Sequence, residues 1–138
     1  MFSMSEEEEK MTYIDELSID QLKDLVKGLD KTDDKIIVLK FYADWCGPCK
    51  RVAPICDEAF NNMGESVIKI IIDIDEQLDL YMFLKRKRII TGIPCTLAWN
   101  PKTDRDYDLW YHPDDSVLSS DENDTIAFFE RVKEKAGK

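Results

Sequence analysis

Apolar residues fall along this chain in short continuous runs and in helically spaced stripes, and the two patterns alternate. Two runs are strand-like: Ile36–Tyr42, apolar except for Lys40, and Val67–Ile74, interrupted by Lys69 and Asp73. Near-continuous apolar runs of this length are typical of strands covered on both faces in a parallel sheet. We therefore predict two buried neighbouring strands.

The segments around these strands carry apolar residues at the spacing of amphipathic helices. Ser18 followed by Gln21 has the pattern of a capping box and predicts a helix start. Further helices are predicted from about Cys46 to Met63, from Gln77 to about Arg88 and from about Asp124 to Ala136. In the last two helices, the residues expected on the buried side are Leu78, Tyr81, Met82, Leu84, Ile126, Phe129 and Val132.

Four segments complete the predicted order of elements. Met11–Glu16 is predicted as a short edge strand, Cys95–Asn100 as a strand, and Tyr107–Tyr111 as its antiparallel return. His112–Asn123 is rich in Pro, Asp and Ser and has the composition of a loop. The resulting order, β-α-β-α-β-α-β-β-α, predicts an α/β fold: a mixed central sheet, with parallel strands and a C-terminal antiparallel hairpin, and helices on both faces.

Length and charge limit the interpretation further. The 138 residues suit one domain, which we place at residues 11–138, after an acidic and disordered tail at Met1–Lys10. The net charge of −10 argues against nucleic acid and against an anionic membrane as partners. The start of the chain lacks the basic and apolar regions of a secretory signal. Four cysteines without such a signal indicate a reducing compartment, so a cytoplasmic protein is expected.

Two of the cysteines, Cys46 and Cys49, stand where the first strand gives way to a helix. Cys46 is expected in the first helical turn, where unsatisfied N–H groups and the helix dipole favour an anion such as a thiolate. Gly47 allows a partner's backbone to come close, and Pro48 fits a first turn. Cys49, one turn deeper, is expected to face the core. This arrangement predicts that Cys46 attacks a disulfide and that Cys49 resolves the mixed disulfide.

The pair has two other interpretations, as half of a zinc site or as two small buried apolar residues. A zinc site normally takes a second pair of ligands, but the chain has no other CxxC and its single histidine, His112, is distant in sequence. We therefore favour redox chemistry and expect no metal and no organic cofactor.

The segment Trp45–Lys50, with the sequence WCGPCK, resembles the active-site signature of the thioredoxin family, and Gly92-Ile93-Pro94 is similar to its cis-proline loop. The resemblance implies a thioredoxin-like fold and a monomeric protein disulfide reductase that uses Cys46 and Cys49. It also implies that substrate proteins lie against Trp45 and the cis-proline loop, and that a thioredoxin reductase supplies electrons. Alternatives are a thiol oxidase or disulfide isomerase with a less reducing potential, and a non-catalytic binding module of the same fold.

The sequence departs from the family pattern at two site positions. Lys40 stands where the family has a buried aspartate, and it is expected either to attract the thiolate of Cys49 or to pair with Asp73 or reach solvent. Cys95 stands where the family has a threonine after the cis-proline. It is interpreted either as a regulatory thiol or as a packed substitute for that threonine. The loop before the last helix is also longer than usual.

Overall fold

The computed structural model describes residues 12–29, 34–101 and 104–136 of the chain. The predicted acidic tail lies outside these residues, and the proposed division into tail and domain stays a prediction. Within the described part, helices cover both faces of a mixed sheet, which confirms the predicted fold class.

The sheet is built around the strand β1, which pairs with a neighbour on each side. Its strands run in the order β2-β1-β3-β4, in which β1 pairs parallel with β2 and antiparallel with β3, and β3 pairs antiparallel with β4. The bounds are β1 Ile36–Tyr42, β2 Val67–Asp73, β3 Cys95–Trp99 and β4 Asp115–Val117.

Four helices of the described part form the two outer layers. They are α1 Ile19–Gly28, α2 Gly47–Asn62, α3 Asp79–Arg86 and α4 Glu122–Ala136. Helices α1 and α3 contact each other over one face of the sheet, while α2 and α4 pack together over the other. The capping box is confirmed, because the Gln21 N–H donates to Ser18 Oγ at 3.1 Å and the Ser18 N–H donates to Gln21 Oε1 at 2.9 Å.

The prediction of a strand at Tyr107–Tyr111 is wrong. The chain forms a single 3₁₀ turn there, Tyr107–Leu109. The aromatic side chains that imitate a strand pattern pack on α3 instead, with the Trp110 ring stacked on Phe83 at 5.8 Å between centroids. The Trp99 indole N–H also donates to the Trp110 carbonyl at 3.1 Å, which fixes this turn against the end of β3.

The antiparallel partner of β3 lies instead within the segment predicted as a loop, His112–Asn123. It is the three-residue strand β4, whose Asp115 faces Ala98 and whose Val117 faces Thr96. Val117 is buried, so this short strand contributes one apolar side chain to the core. The hairpin is therefore present as predicted, but its second strand begins eight residues later than expected (115 − 107 = 8).

At the other edge of the sheet, the predicted strand Met11–Glu16 is reduced, in its described part, to one bridge. Ile14 pairs parallel with Ile70, through the Ile14 N–H to the Lys69 carbonyl at 2.8 Å and the Ile71 N–H to the Ile14 carbonyl at 2.9 Å. Three residues further on, Leu17 is held by the side chain of Gln77. The Leu17 N–H donates to Gln77 Oε1, and Gln77 Nε2 donates to the Leu17 carbonyl, both at 2.8 Å.

Two residues predicted on buried helix faces are exposed. Leu78 precedes α3 and is 51% exposed, and Leu80 takes the buried position. Ile126 is 42% exposed, because the buried stripe of α4 includes Thr125 and Phe128 and is therefore rotated relative to the predicted one.

Candidate active site

The active-site candidates lie at the junction of β1 and α2. Cys46 is the N-cap of α2, with extended backbone angles (φ −86°, ψ 105°), and Pro48 occupies the first turn. The N–H of Cys49 donates to the sulfur of Cys46 at 3.1 Å. A thiolate at this sulfur would keep that N–H as a partner and would lie at the positive end of the helix dipole.

Cys46 and Cys49 are joined as a disulfide, with 5.2 Å between their Cα atoms. Both residues are buried, while Gly47 and Pro48 between them are exposed. A Cβ atom built on Gly47 would meet nothing within 4 Å, so the space beside this turn is open. The pair is thus shielded on the protein side and approachable along the exposed turn.

Trp45 stands beside the pair as the most exposed large hydrophobic side chain of the described residues, at 67%. Its indole N–H donates to Asp75 Oδ2 at 2.9 Å, and the Asp75 N–H donates to Asp73 Oδ1 at 2.9 Å. The turn after β2 therefore orients the ring. Sequence reasoning missed Asp75, although an Asp-Ile-Asp segment at the end of a buried strand is a signal for a turn at this edge.

The loop before β3 has the predicted cis-proline. The Ile93–Pro94 peptide bond is cis, Pro94 is buried, and Gly92 and Ile93 are half-buried. Ile93 packs against the core cluster that contains both disulfide cysteines. A Cβ atom on Gly92 would meet nothing within 4 Å, so the surface beside this loop is open as well.

The other two cysteines are free and buried. Burial raises the pKa of Cys95 to about 12, and a hydrogen bond with the backbone of Phe41 offsets this only in part. Burial also raises the pKa of Cys56, against the lowering effect of the Lys40 charge. Both groups are therefore neutral thiols near pH 7, which favours the packing interpretation of Cys95 over the regulatory one.

Lys40 is buried, with 5% of its surface exposed, and its Nζ lies 5.5 Å from the centroid of the Tyr42 ring. Among the described residues, no carboxylate lies within ion-pair distance of this ammonium, so the alternative of a pair with Asp73 is not observed. Lys40 lines a cavity of about 320 Å³, which Cys49 and Asp57 also line. The structure thus brings Lys40 and the predicted resolving cysteine to one cavity.

The family follows from this geometry together with comparison of the sequence. Residues 15–107 match the family model described as Thioredoxin. The chain belongs to the thioredoxin family. Its relatives include Thioredoxin-T of Drosophila melanogaster, 42% identical over 57 residues, or 41% of this chain and 36% of the relative. They also include the thioredoxin of Echinococcus granulosus, 36% identical over 80 residues, or 58% of this chain and 65% of the relative. The aligned segments thus span less than two thirds of these relatives.

Solved thioredoxin structures share the fold over more of the chain. The thioredoxin of Malassezia sympodialis superposes with a TM-score of 0.59 at 23% identity, covering 88% of this chain and 91% of that one. Thioredoxin f2 in its complex with ferredoxin:thioredoxin reductase gives a TM-score of 0.59 at 22% identity, covering 89% of this chain and 97% of that one. At these identities the similarity establishes the fold alone.

Residues 12–29, 34–101 and 104–136 form neither a cluster of metal ligands nor a helix that could span a membrane. No three His, Cys, Asp or Glu side chains in these ranges cluster closely enough to hold a metal ion. No helix there combines the length and the apolar character needed to cross a bilayer.

Proposed function

We propose that this thioredoxin-family chain is a thiol–disulfide oxidoreductase, and specifically a reductase of disulfides in other proteins. The observation that carries the proposal is the position of Cys46: an N-cap sulfur that accepts the N–H of Cys49 and is bonded to the Cys49 sulfur. Membership of the family and the exposed turn beside the pair support the same conclusion.

The proposed reaction is a pair of thiol–disulfide exchanges. The thiolate of Cys46 attacks one sulfur of a substrate disulfide, and the other sulfur leaves with the electron pair as a thiolate. Cys49 then loses its proton and attacks Cys46, so that the Cys46–Cys49 bond forms and the second substrate thiolate leaves. The protein is oxidised by two electrons, the substrate is reduced by two, and the substrate thiolates take protons from solvent.

The proposed substrate surface is formed by Trp45, Gly92, Ile93 and Pro94. The exposed indole of Trp45 and the open space beside Gly47 and Gly92 leave room for an extended peptide. Such a peptide would pair through its backbone with Ile93, as a strand added to an edge does. We expect this surface to bind substrate peptides of many sequences, because hydrogen bonds to the peptide backbone do not depend on the identity of the side chains.

A reductase of the thioredoxin reductase class is the proposed electron donor. A structure similar to this chain comes from a complex of thioredoxin f2 with ferredoxin:thioredoxin reductase. This complex supports a reductase as the partner of the present chain. We also propose a cytoplasmic location, since two buried free thiols suit a reducing compartment. The monomeric state stays a prediction.

The test is the reduction of insulin by dithiothreitol, followed as turbidity. We expect the wild-type protein to accelerate precipitation, Cys46→Ser to abolish the acceleration, and Cys49→Ser to accumulate covalent complexes with the substrate. Cys56→Ser, which removes a buried thiol from the same helix, is the matched control and should remain active. A wild-type protein without activity would support the alternative of a binding module.

A less reducing member of the same class, a thiol oxidase or disulfide isomerase, is the second candidate. The observation that favours it is the side chain of Lys40, which is 5% exposed, lines the cavity of Cys49 and has no ion-pair partner among the described residues. A titration with glutathione separates it from a strong reductase.

A further inference from the structure

Within the described part, Lys40 is 5% exposed and has no recorded ion pair, whereas the equally buried side chain of Arg105 pairs with Asp114 at 3.1 Å. A buried ammonium without a counter-ion is unfavourable, so such groups normally pair, deprotonate or reach water. Here the contact recorded for the ammonium is the face of the Tyr42 ring, which supplies part of a cation's stabilisation. The cavity of about 320 Å³ gives the ammonium access to water. An anion close to Lys40 would supply the counter-ion that the described residues do not provide, with part of the attraction screened by water in the cavity.

The strand determines where this ammonium acts. Successive side chains of a strand point to opposite faces, so Lys40 shares the face of Ile36 and Val38, which belong to the core layer beneath α2. The positive charge of Lys40 reaches α2, since it opposes the rise in the pKa of Cys56. Cys49 lies on α2 two turns before Cys56 and lines the same cavity as Lys40.

We propose that Lys40 is a positioning residue for the resolving step: its ammonium favours the thiolate of Cys49 as soon as the disulfide is opened. The inference rests on the proposed function. In the oxidised protein the sulfur of Cys49 is neutral and Lys40 has no anion among the described residues. Opening the disulfide allows the sulfur of Cys49 to carry a negative charge at this cavity.

Other charges around Cys49 do not reverse this effect. The remaining titratable groups at its cavity or on the adjoining turn of α2 are Tyr13, Tyr42, Asp44, Lys50, Cys56 and Asp57. Asp44 and Asp57 disfavour a thiolate, but both are exposed, so water and salt screen them. Lys50 is exposed too and acts in the same direction as Lys40. Lys40 is buried, and a charge interacts more strongly where the effective dielectric constant is lower.

The chemical consequence concerns the second exchange. With Cys46 held in a mixed disulfide, Cys49 must release its proton, which leaves through the cavity to water. Its thiolate then attacks the Cys46 sulfur, the Cys46–substrate bond breaks, and the substrate sulfur leaves with the electron pair. A nearby ammonium raises the thiolate fraction of Cys49 without accepting the proton itself. Since thiolate fraction governs the rate of exchange, resolution is faster at neutral pH.

The experiment follows the two releases of thionitrobenzoate when reduced protein meets the aromatic disulfide DTNB in a stopped-flow instrument. The first release reports attack by Cys46, and the second reports resolution by Cys49. We expect Lys40→Met to slow the second phase about tenfold at pH 7 and to move its pH midpoint upward by about one unit, with the first phase unchanged. Lys40→Arg, which keeps the charge, should restore the wild-type profile.

Lys69→Met is the matched control. Lys69 is a half-buried lysine of the neighbouring strand β2, and its Nζ donates to the Met63 carbonyl at 2.7 Å, away from the cysteine pair. The Lys69→Met variant should show both phases of thionitrobenzoate release at the wild-type rates. Equal second phases in wild type and Lys40→Met would overturn the inference, and so would equal slowing by Lys40→Met and Lys40→Arg, which indicates a packing role. A wild type without a second release would overturn the proposed function itself.

A second measurement does not depend on how the variants of Lys40 fold. In Cys46→Ser with Lys40 intact, the thiolate absorbance of Cys49 can be titrated separately, because burial raises the pKa of both Cys56 and Cys95. We expect its midpoint to lie below about 8.5, the ordinary value for a free cysteine. A midpoint at or above that value would overturn the inference.

Discussion

The reactivity of each thiol in this chain follows from the position of its sulfur relative to a helix terminus and to the core. Cys46 caps α2 and accepts an N–H, whereas Cys56 lies two to three turns further along the same helix without solvent contact. Cys95 begins β3 and is 1% exposed. The same residue type is therefore expected to be a nucleophile at the first position and an inert apolar group at the other two.

The thiol of Cys95 makes stability depend on alkaline pH. Its pKa is raised by burial from 9.0 to about 12, so between these values the native state keeps a proton that the unfolded chain has released. This contribution to stability is complete below about pH 9 and is lost as the pH rises towards 12. We predict that the free energy of unfolding of the oxidised protein falls through this window, by at most about 1.4 kcal/mol per pH unit from this group.

The measurement is urea unfolding of the oxidised protein at pH 8 to 11, compared with Cys95→Ala. The variant should be less stable at pH 8, because it leaves a small cavity, but its stability should fall less steeply with pH. Since Cys56 and the tyrosines remain in both proteins, the difference in slope isolates Cys95. Parallel pH profiles would contradict the prediction.

At single positions, the sequence was informative where chemistry required a particular residue type. The CxxC pair and the cis-proline could be found because few other patterns serve that chemistry. Asp75 could not, because its role depends on how the turn after β2 meets the Trp45 indole. Burial of Thr125 was missed for a similar reason: its hydroxyl donates to the Asp121 carbonyl at 2.9 Å, and only this bond makes a polar residue acceptable in the core.

Among the elements, the C-terminal end of α3 combines a regular hydrogen-bond pattern with an unusual residue. The Ile89 N–H donates to the Leu84 carbonyl and the Arg88 N–H to the Lys85 carbonyl, both at 3.0 Å. These are the two bonds of a Schellman motif. The position with left-handed backbone, usually glycine, is held by Arg88 with φ 63°. A side chain in this conformation has a steric cost that glycine avoids.

We therefore predict that Arg88→Gly stabilises the protein, by about 0.5–1 kcal/mol, once the greater flexibility of glycine in the unfolded chain is subtracted. The matched control is Arg86→Gly, which replaces the same residue type two positions earlier, within the helix. This variant should destabilise the protein by about 1 kcal/mol. Both values come from urea unfolding at neutral pH. Destabilisation of similar size in both variants would show that the Arg88 side chain makes contacts worth more than its backbone strain.

The elements that could be predicted were those with a long periodic pattern. Helix α2 and strands β1 and β2 were found within one to two residues of their observed bounds. Strand β4 could not be found, because three residues with one buried side chain have no recognisable period. The segment Tyr107–Tyr111 has the stronger strand pattern, but its rings pack on Phe83 of α3, a contact that depends on the tertiary arrangement.

For the molecule as a whole, the redox potential depends on the difference in free energy between the oxidised and the reduced protein. Lys40 interacts with an anion at Cys49 in the reduced state only, so it should stabilise that state. One pKa unit of such stabilisation corresponds to a tenfold change in the equilibrium constant, or about 30 mV for two electrons. We predict that Lys40→Met is more reducing than the wild type by about this amount, and Lys40→Asp by more.

A titration of the three proteins with reduced and oxidised glutathione measures this difference at equilibrium, independently of the rate of resolution. Lys69→Met again serves as the control and should keep the wild-type potential. Identical potentials for wild type, Lys40→Met and Lys40→Asp would mean that the ammonium interacts equally with both redox states, as expected for a group solvated by water in the cavity.

The bridge at Ile14 bears on the aggregation of this protein in concentrated solution. Among the described residues, the Ile14 bridge is the only pairing on the outer edge of β2, and β2 has the sequence VIKIIID, which combines high strand propensity with little charge. Such an edge is a template for intermolecular pairing and hence for aggregation. Lys69 lies beside the Ile14 bridge, and a lysine at such an edge disfavours pairing with another copy, since the pairing would bring like charges together. We therefore expect Lys69 to oppose intermolecular pairing along the part of β2 that no other described residue pairs with.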